Sequence, residues 1–214
     1  MKAVVVGATG LIGKELVKQL AHSERFERVT VVGRRYLDYS HPDVEQHIAD
    51  LGDPEAIRPF MRGDVLFCAL GTTIKQAGSQ EKFRMVDHHF VVNSAKVASE
   101  EGVKHFCVVS SLGAKAASGN FYLRTKGEME REVSALPFAS VHIFRPSLLL
   151  GNREENRPGE RIGVAFFKLF DFMFKGKLKK YAPVHASTVA QAMIKAALSG
   201  APGFNIHESE TIGN

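Results

Sequence analysis

The chain has 214 residues, 44% of them hydrophobic and 24% charged, with a formal net charge of +5 and a pI near 9.2. That length suits one domain with a sizeable core, and no apolar run approaches the ~20 residues of a membrane span. The basic residues form no long block, so the balance fits a polyanionic ligand and does not indicate nucleic acid.

The chain opens on strand material, Ala3-Val4-Val5-Val6, breaks at Gly7 and carries further glycines at Gly10 and Gly13. Leu11, Ile12, Leu16, Val17 and Leu20 then recur at helical spacing. Strand, glycine turn and amphipathic helix in succession make a phosphate-binding unit. The glycines let the backbone approach a pyrophosphate, and the helix start offers free N–H groups and a positive dipole end. Thr9 adds a hydroxyl to the turn. The first strand starts at the N-terminus, which is expected to leave no room for a signal peptide.

Residues 28–33 (RVTVVG) predict a second strand that ends in Arg34-Arg35. An NAD-specific fold places an acid at this corner for the ribose 2′-hydroxyl. Two guanidiniums suit a 2′-phosphate instead, through bidentate and permanently charged contacts, which points to NADP(H); the bland alternative is a solvated pair. Residues 44–51 predict a third strand ending in Asp50-Leu51, where such folds line the adenine pocket. Asp53 and Pro54 have the chemistry of an N-cap and first helical residue. Residues 64–70 (DVLFCAL) predict a fourth strand, a short continuous apolar run after Asp64, followed by a second glycine-bearing turn, Gly71-Thr72-Thr73. A loop over 75–79 leads into a long helix over about 80–101. Its His88-His89 pair is expected to be solvated or capping, because adjacent helical side chains diverge by about 100° and do not converge on a metal.

Residues 105–109 predict a fifth strand closed by Ser110 and Ser111. Cys68 and Cys107 both fall inside strands and are expected to be buried thiols of a cytoplasmic protein, not a disulfide or metal pair. Tyr122 and Lys126 are four apart and share a helix face. A phenol is a poor acid at neutral pH, and a nearby ammonium draws it towards the working range. A serine hydroxyl at the end of the fifth strand can hold a substrate carbonyl against the tyrosine. Ser111 is the first choice because it precedes the Leu112-Gly113 turn, and Ser110 stays open because residues alternate faces. Residues 138–144 predict a sixth strand. The alternation predicts an α/β fold: a doubly wound, mostly parallel sheet with helices on both faces, the whole of 1–214 forming one domain. Beyond Asn152 come a charged loop, the aromatic stretch 164–174 and a run of lysines. Segment 152–181 is expected to be a lid or contact region, with membrane-surface contact through 166–180 as the alternative. A helix over 187–198 and an edge strand over 203–207 complete the chain.

Taken together, GATGLIG, Arg34-Arg35, the run Leu70-Gly71-Thr72-Thr73, SSLGA, YLRTK, FRPSLLL and ENRPGE resemble an atypical short-chain dehydrogenase/reductase of the Tat-interactive-protein branch. The resemblance covers nearly the whole chain and is weakest after Phe174. It implies a Rossmann fold and NADP(H), with Thr9, Gly10, Leu11 and Ile12 at the pyrophosphate and Arg34 and Arg35 at the 2′-phosphate. Leu70 and Gly71 would lie beside the adenosine half. Tyr122 would be the proton donor and Lys126 would bind the nicotinamide ribose. Leu149 would border the nicotinamide, and Arg157 would enter from the C-terminal loop. The implied function is reduction of a small carbonyl compound, substrate unspecified, in a protein compatible with a homo-oligomer. The alternative is a non-catalytic NADPH-responsive sensor that presents the aromatics 166–174 to a partner.

Overall fold

The computed structural model describes residues 1–150 and 182–212. They form an α/β Rossmann fold around a seven-stranded sheet: β1 (Lys2–Val6), β2 (Arg28–Gly33), β3 (Val44–Ile48), β4 (Val65–Cys68), β5 (His105–Val109), β6 (Ser140–Arg145) and, after the short strands β7 (Leu149–Leu150) and β8 (Val184–His185), β9 (Gly203–Glu208). The order is 3-2-1-4-5-6-9, and every neighbouring pair is parallel. Parallel strands need coverage on both faces, and the side chains divide accordingly with a period of two. Ala3, Val5, Val29, Val31, Phe67 and Cys107 pack towards α1 (Leu11–Ala21) and the late helix, Ala186–Ser199. Val4, Val6, Val32, Leu66, Cys68, Phe106 and Val108 pack towards the helices on the opposite face.

Those opposite helices carry most of the departures from expectation. A helical turn, Ile74–Ala77, stands where the sequence predicts a loop, because Thr73 accepts a hydrogen bond from the Gln76 amide and caps it. The long helix runs as predicted from Gln80, but only Gln80–Arg84 and Phe90–Glu100 are α-helical. Between them Met85–His89 is a π turn. Strand β3 stops at Ile48, short of the predicted Leu51, because the Asp50 carboxylate accepts from the Gly52 N–H at 2.9 Å and turns the chain. Asp53 caps its helix as predicted, accepting from the Glu55 and Ala56 amides. The edge strand is real and one residue longer than predicted, pairing Ser140 with Gly203 through to Arg145 with Glu208.

The helix that carries Tyr122 and Lys126, Phe121–Ser134, starts at Asn120, whose side chain accepts from the Leu123 amide. Arg145 at the end of β6 fixes it from below. Its guanidinium grips buried Glu130 at 3.0 and 2.6 Å and reaches Glu208 at 3.0 Å. A bidentate arginine–carboxylate pair is rigid as well as charged, so helix and sheet edge are held in register. Leu149 lies in β7, half-buried and paired with Val184. Arg157, the aromatics 166–174 and the expected lid 152–181 lie outside the described residues. No helix among the described residues is long and apolar enough to cross a membrane.

Candidate cofactor and active site

The strand order reverses between β1 and β4, and open α/β sheets bind ligands over the carboxyl ends of strands at such a point. Both glycine turns meet there. Gly7 has φ of +83°, and a β-carbon on it would lie 2.5 Å from the Ala69 carbonyl carbon. A β-carbon on Gly13 would lie 2.1 Å from the Gly7 carbonyl oxygen. Only glycines allow turn, helix and β4 to approach this closely. The Gly10 amide closes the turn on the Gly7 oxygen at 3.1 Å, and Gly10 stands as N-cap of α1 with no side-chain cap. The first turn of α1, which begins at Leu11 and Ile12, therefore has no side-chain cap from its N-cap residue, the arrangement a pyrophosphate site uses. Half-buried Thr9 stands beside them.

Arg34 and Arg35 follow β2 directly and are exposed. The Arg34 guanidinium sits 5.8 Å over the Phe90 ring, and a β-carbon on Gly52 would be 3.2 Å from that ring. Buried Leu51 is held by the Asn93 side-chain amide, which donates to its carbonyl at 2.7 Å. Arg34, exposed Asp50 and Leu51 thus gather at one corner, at the Phe90 end of the helix. The sequence reading missed how the loop after Arg35 is held. The Gln46 side chain accepts from the Leu37 amide at 2.8 Å and donates to the carbonyls of Leu37 and Tyr39 at 3.0 and 2.9 Å. A glutamine on a short polar strand carries no sequence signal of that duty.

On the other side of β4, Lys126 is 2% exposed and its ammonium lies 2.8 Å from the carboxylate of Asp87, which is fully buried. The second Asp87 oxygen accepts from the Thr72 amide at 2.8 Å, and a β-carbon on Gly71 would be 3.9 Å from the Lys126 nitrogen. Burial alone would push the Lys126 pKa down, but Asp87 and, behind it, the Tyr122 hydroxyl hold it above the usual lysine value, so it stays charged. Tyr122 is half-buried, its ring 5.3 Å from that of Phe83. Ser110 is 5% exposed and its hydroxyl has no hydrogen-bond partner among the described residues. Half-buried Ser111 turns its hydroxyl to the Leu112 carbonyl at 3.5 Å. Cys68, beneath the pair, has its thiol pushed up to about 12 by burial, and Cys107 is raised further by the same cause. Both are free, buried thiols.

Asp87 is the residue the sequence reading did not single out. The signal was present: Phe83, Asp87 and Val91 stand four apart, so an acid interrupts the buried stripe of a helix. The expectation of a solvated or capping His88 is also corrected. His88 is 3% exposed and its Nε2 meets Glu132 at 3.1 Å, because the π turn brings the consecutive residues Asp87 and His88 both inward.

Residues 7–198 match a family model described as NAD(P)H-binding. Protein HTATIP2 of Rattus norvegicus is 39% identical over 204 residues, covering 93% of this chain and 82% of that protein. The chain belongs to the HTATIP2 branch of the atypical short-chain dehydrogenase/reductases. The mitochondrial protein FMP52 of Debaryomyces hansenii, 36% identical over 200 residues, covers 91% of this chain and 86% of its own. FMP52 of Eremothecium gossypii and Candida albicans carry the same mitochondrial designation. That finding overturns the cytoplasmic expectation. Buried thiols and a mildly basic balance do not separate one reducing compartment from another. Among solved structures, MoeE5 in complex with UDP-glucuronic acid and NAD superposes with a TM-score of 0.71 at 20% identity, over 96% of this chain and 75% of that one. A UDP-glucose 4-epimerase superposes with a TM-score of 0.72 at 15% identity, over 100% and 80%. At such identity these neighbours speak for the fold of this short-chain dehydrogenase/reductase, not for its substrate.

Proposed function

We propose that this chain binds NADP(H) over the carboxyl ends of β1, β2 and β4 and reduces a small carbonyl compound. The observation that carries the reading is the buried, charged Lys126, set beside the Gly71 turn and one helical turn from Tyr122. Arg34 and Arg35, with no acid between them and β2, favour a 2′-phosphate over a free 2′-hydroxyl. Bound NADP(H) supplies the hydride. Tyr122 gives its phenolic proton to the substrate oxygen, and Lys126 donates to the ribose while its charge favours the phenolate left behind. For the serine that orients the carbonyl, the Ser110 hydroxyl, without a hydrogen-bond partner among the described residues, favours it over Ser111. Ser110 also continues the parity of Phe106 and Val108, on the sheet face that the Lys126 helix covers.

The test is a titration with NADPH and NADH beside turnover on a carbonyl panel. Arg34→Ala/Arg35→Ala should weaken NADPH at least tenfold, ~1.4 kcal/mol, and leave NADH nearly unchanged. Tyr122→Phe should abolish turnover and keep NADPH binding within about twofold of the parent. A parent that prefers NADH, or a Tyr122→Phe variant that turns over normally, defeats the reading. One observation supports a second reading, the NADPH-binding sensor: Asp87 already sits against Lys126 and offsets the charge that would act on Tyr122. NADPH binding with no turnover across the whole panel would select it.

A further inference from the structure

Strand β9 ends the sheet, and no strand lies outside it among the described residues. The Gly203 N–H turns inward and bonds the Ala139 carbonyl at 2.9 Å. Alternation along the parallel ladder with β6 therefore turns the N–H and C=O groups of Phe204 and Ile206 to the open side. Exposed edges are usually blunted by brevity, lysine, proline or a bulge. Strand β9 runs six residues in unbroken register with none of these. Its apolar side chains are open as well: Phe204 is 48% and Ile206 43% exposed. Both line a groove of about 270 Å³ beside the helix Phe121–Ser134. The loop 114–116 lines it too and is seated directly on that helix, since a β-carbon on Gly127 would lie 2.2 Å from the Ala116 nitrogen. The charges here are unbalanced. Glu130 and, at the end of β9, Glu208 are already held by Arg145. Lys115 and Arg131 line the groove, are exposed and have no ion pair among the described residues.

We propose that β9 is a docking edge for an extended, acidic segment of another protein, which adds to the sheet as a further strand. Its backbone pairs with the open groups of Phe204 and Ile206. Alternate side chains then fall on the groove face, where apolar ones cover Phe204 and Ile206 and carboxylates meet Lys115 and Arg131. A second copy of this chain is a poorer occupant. It would bring the same cations to one seam, and the acids nearby are already taken by Arg145. The edge lies beyond β5 and β6 from the β1–β4 crossover, so the proposal does not depend on NADP(H).

The probe is an end-capped, fluorescein-labelled peptide, valine-serine-glutamate-serine repeated twice, titrated against the full chain by fluorescence anisotropy in low salt. It should bind saturably and about tenfold more tightly than the same peptide with lysine for glutamate. Lys115→Glu/Arg131→Glu should reverse that preference. Phe204→Ser/Ile206→Ser should weaken the glutamate peptide about tenfold, with a thermal melt to show that each variant is folded. N-methylation of all the peptide amides should weaken it as much on the unaltered chain, where no variant has to fold. No saturable binding by the parent, a preference unmoved by the charge reversal, or equal binding of the N-methylated peptide overturns the proposal. Dimerisation of the parent, read by sedimentation and lost in Phe204→Ser/Ile206→Ser, assigns the edge to a second copy and also overturns it.

Discussion

At Gly13 the clash that a β-carbon would make is with backbone, the Gly7 carbonyl oxygen at 2.1 Å and the Ala8 α-carbon at 2.7 Å. No side-chain rotation relieves it, so Gly13→Ala must push α1 away from the turn. Overpacking of this kind costs about 1–3 kcal/mol. The expected result is a lower melting temperature, by roughly 2–12 °C for a chain of this size, and at least a tenfold loss of NADPH affinity. A variant that melts and binds like the parent would show that the turn yields. The glycine spacing announces this site in one dimension, since the motif is local. Asp87 shows the opposite case: its acid stands on a buried stripe, but the lysine that explains it comes 39 positions later, with β5 between them.

The outer pair of strands, β6 and β9, is joined by more than backbone. His142 Nδ1 lies 3.0 Å from His207 Nε2, and the His207 ring stacks on Phe144 with centroids 4.5 Å apart. Burial first, then His207 and His105, push the His142 pKa from 6.5 down to about 4, and burial lowers His207 as well. Below pH 6.5 the unfolded chain takes up a proton that the folded one refuses until near pH 4. The stability this site contributes is therefore complete above pH 6.5 and is lost as pH falls through 6.5 towards 4. At 1.36 kcal/mol per pH unit the loss approaches about 3 kcal/mol. Urea unfolding at pH 7, 6 and 5 should show a steep decline in the parent and a shallower one in His142→Phe. Parallel slopes for the two proteins would refute the assignment. Strand β9 itself is readable as a strand in the sequence, but its histidine partner is not, because register across a parallel pair is set by the intervening crossover.

The proposed cofactor site joins Gly7–Gly13, Arg34, Gly71, Tyr122 and Lys126, drawn from three parallel strand ends and a helix on the far side of the chain. A ligand that bridges them binds the folded molecule and not the unfolded one, so it stabilises by mass action. At 100 times its dissociation constant NADPH should add about 2.7 kcal/mol, a rise in melting temperature of roughly 5–11 °C. At that same NADPH concentration Arg34→Ala/Arg35→Ala should show a markedly smaller rise, measured by a fluorescence melt. No rise in the parent would contradict binding.

The sequence alone determined the doubly wound sheet, the glycine cradle, the basic corner after β2 and the Tyr122–Lys126 face. Each is written in near neighbours: apolar runs, a three-residue glycine spacing, an i,i+4 pair. Tertiary structure decided what depends on distant partners in a dry interior. It set the π turn that swings Asp87 and His88 inward, the Gln46 hold on the loop after Arg35 and the Arg145 grip on Glu130. It also set the Ser110 hydroxyl, which has no hydrogen-bond partner among the described residues. Buried polar groups must find partners or remain costly, and which partner is in reach is a property of the packed fold, not of the order of residues.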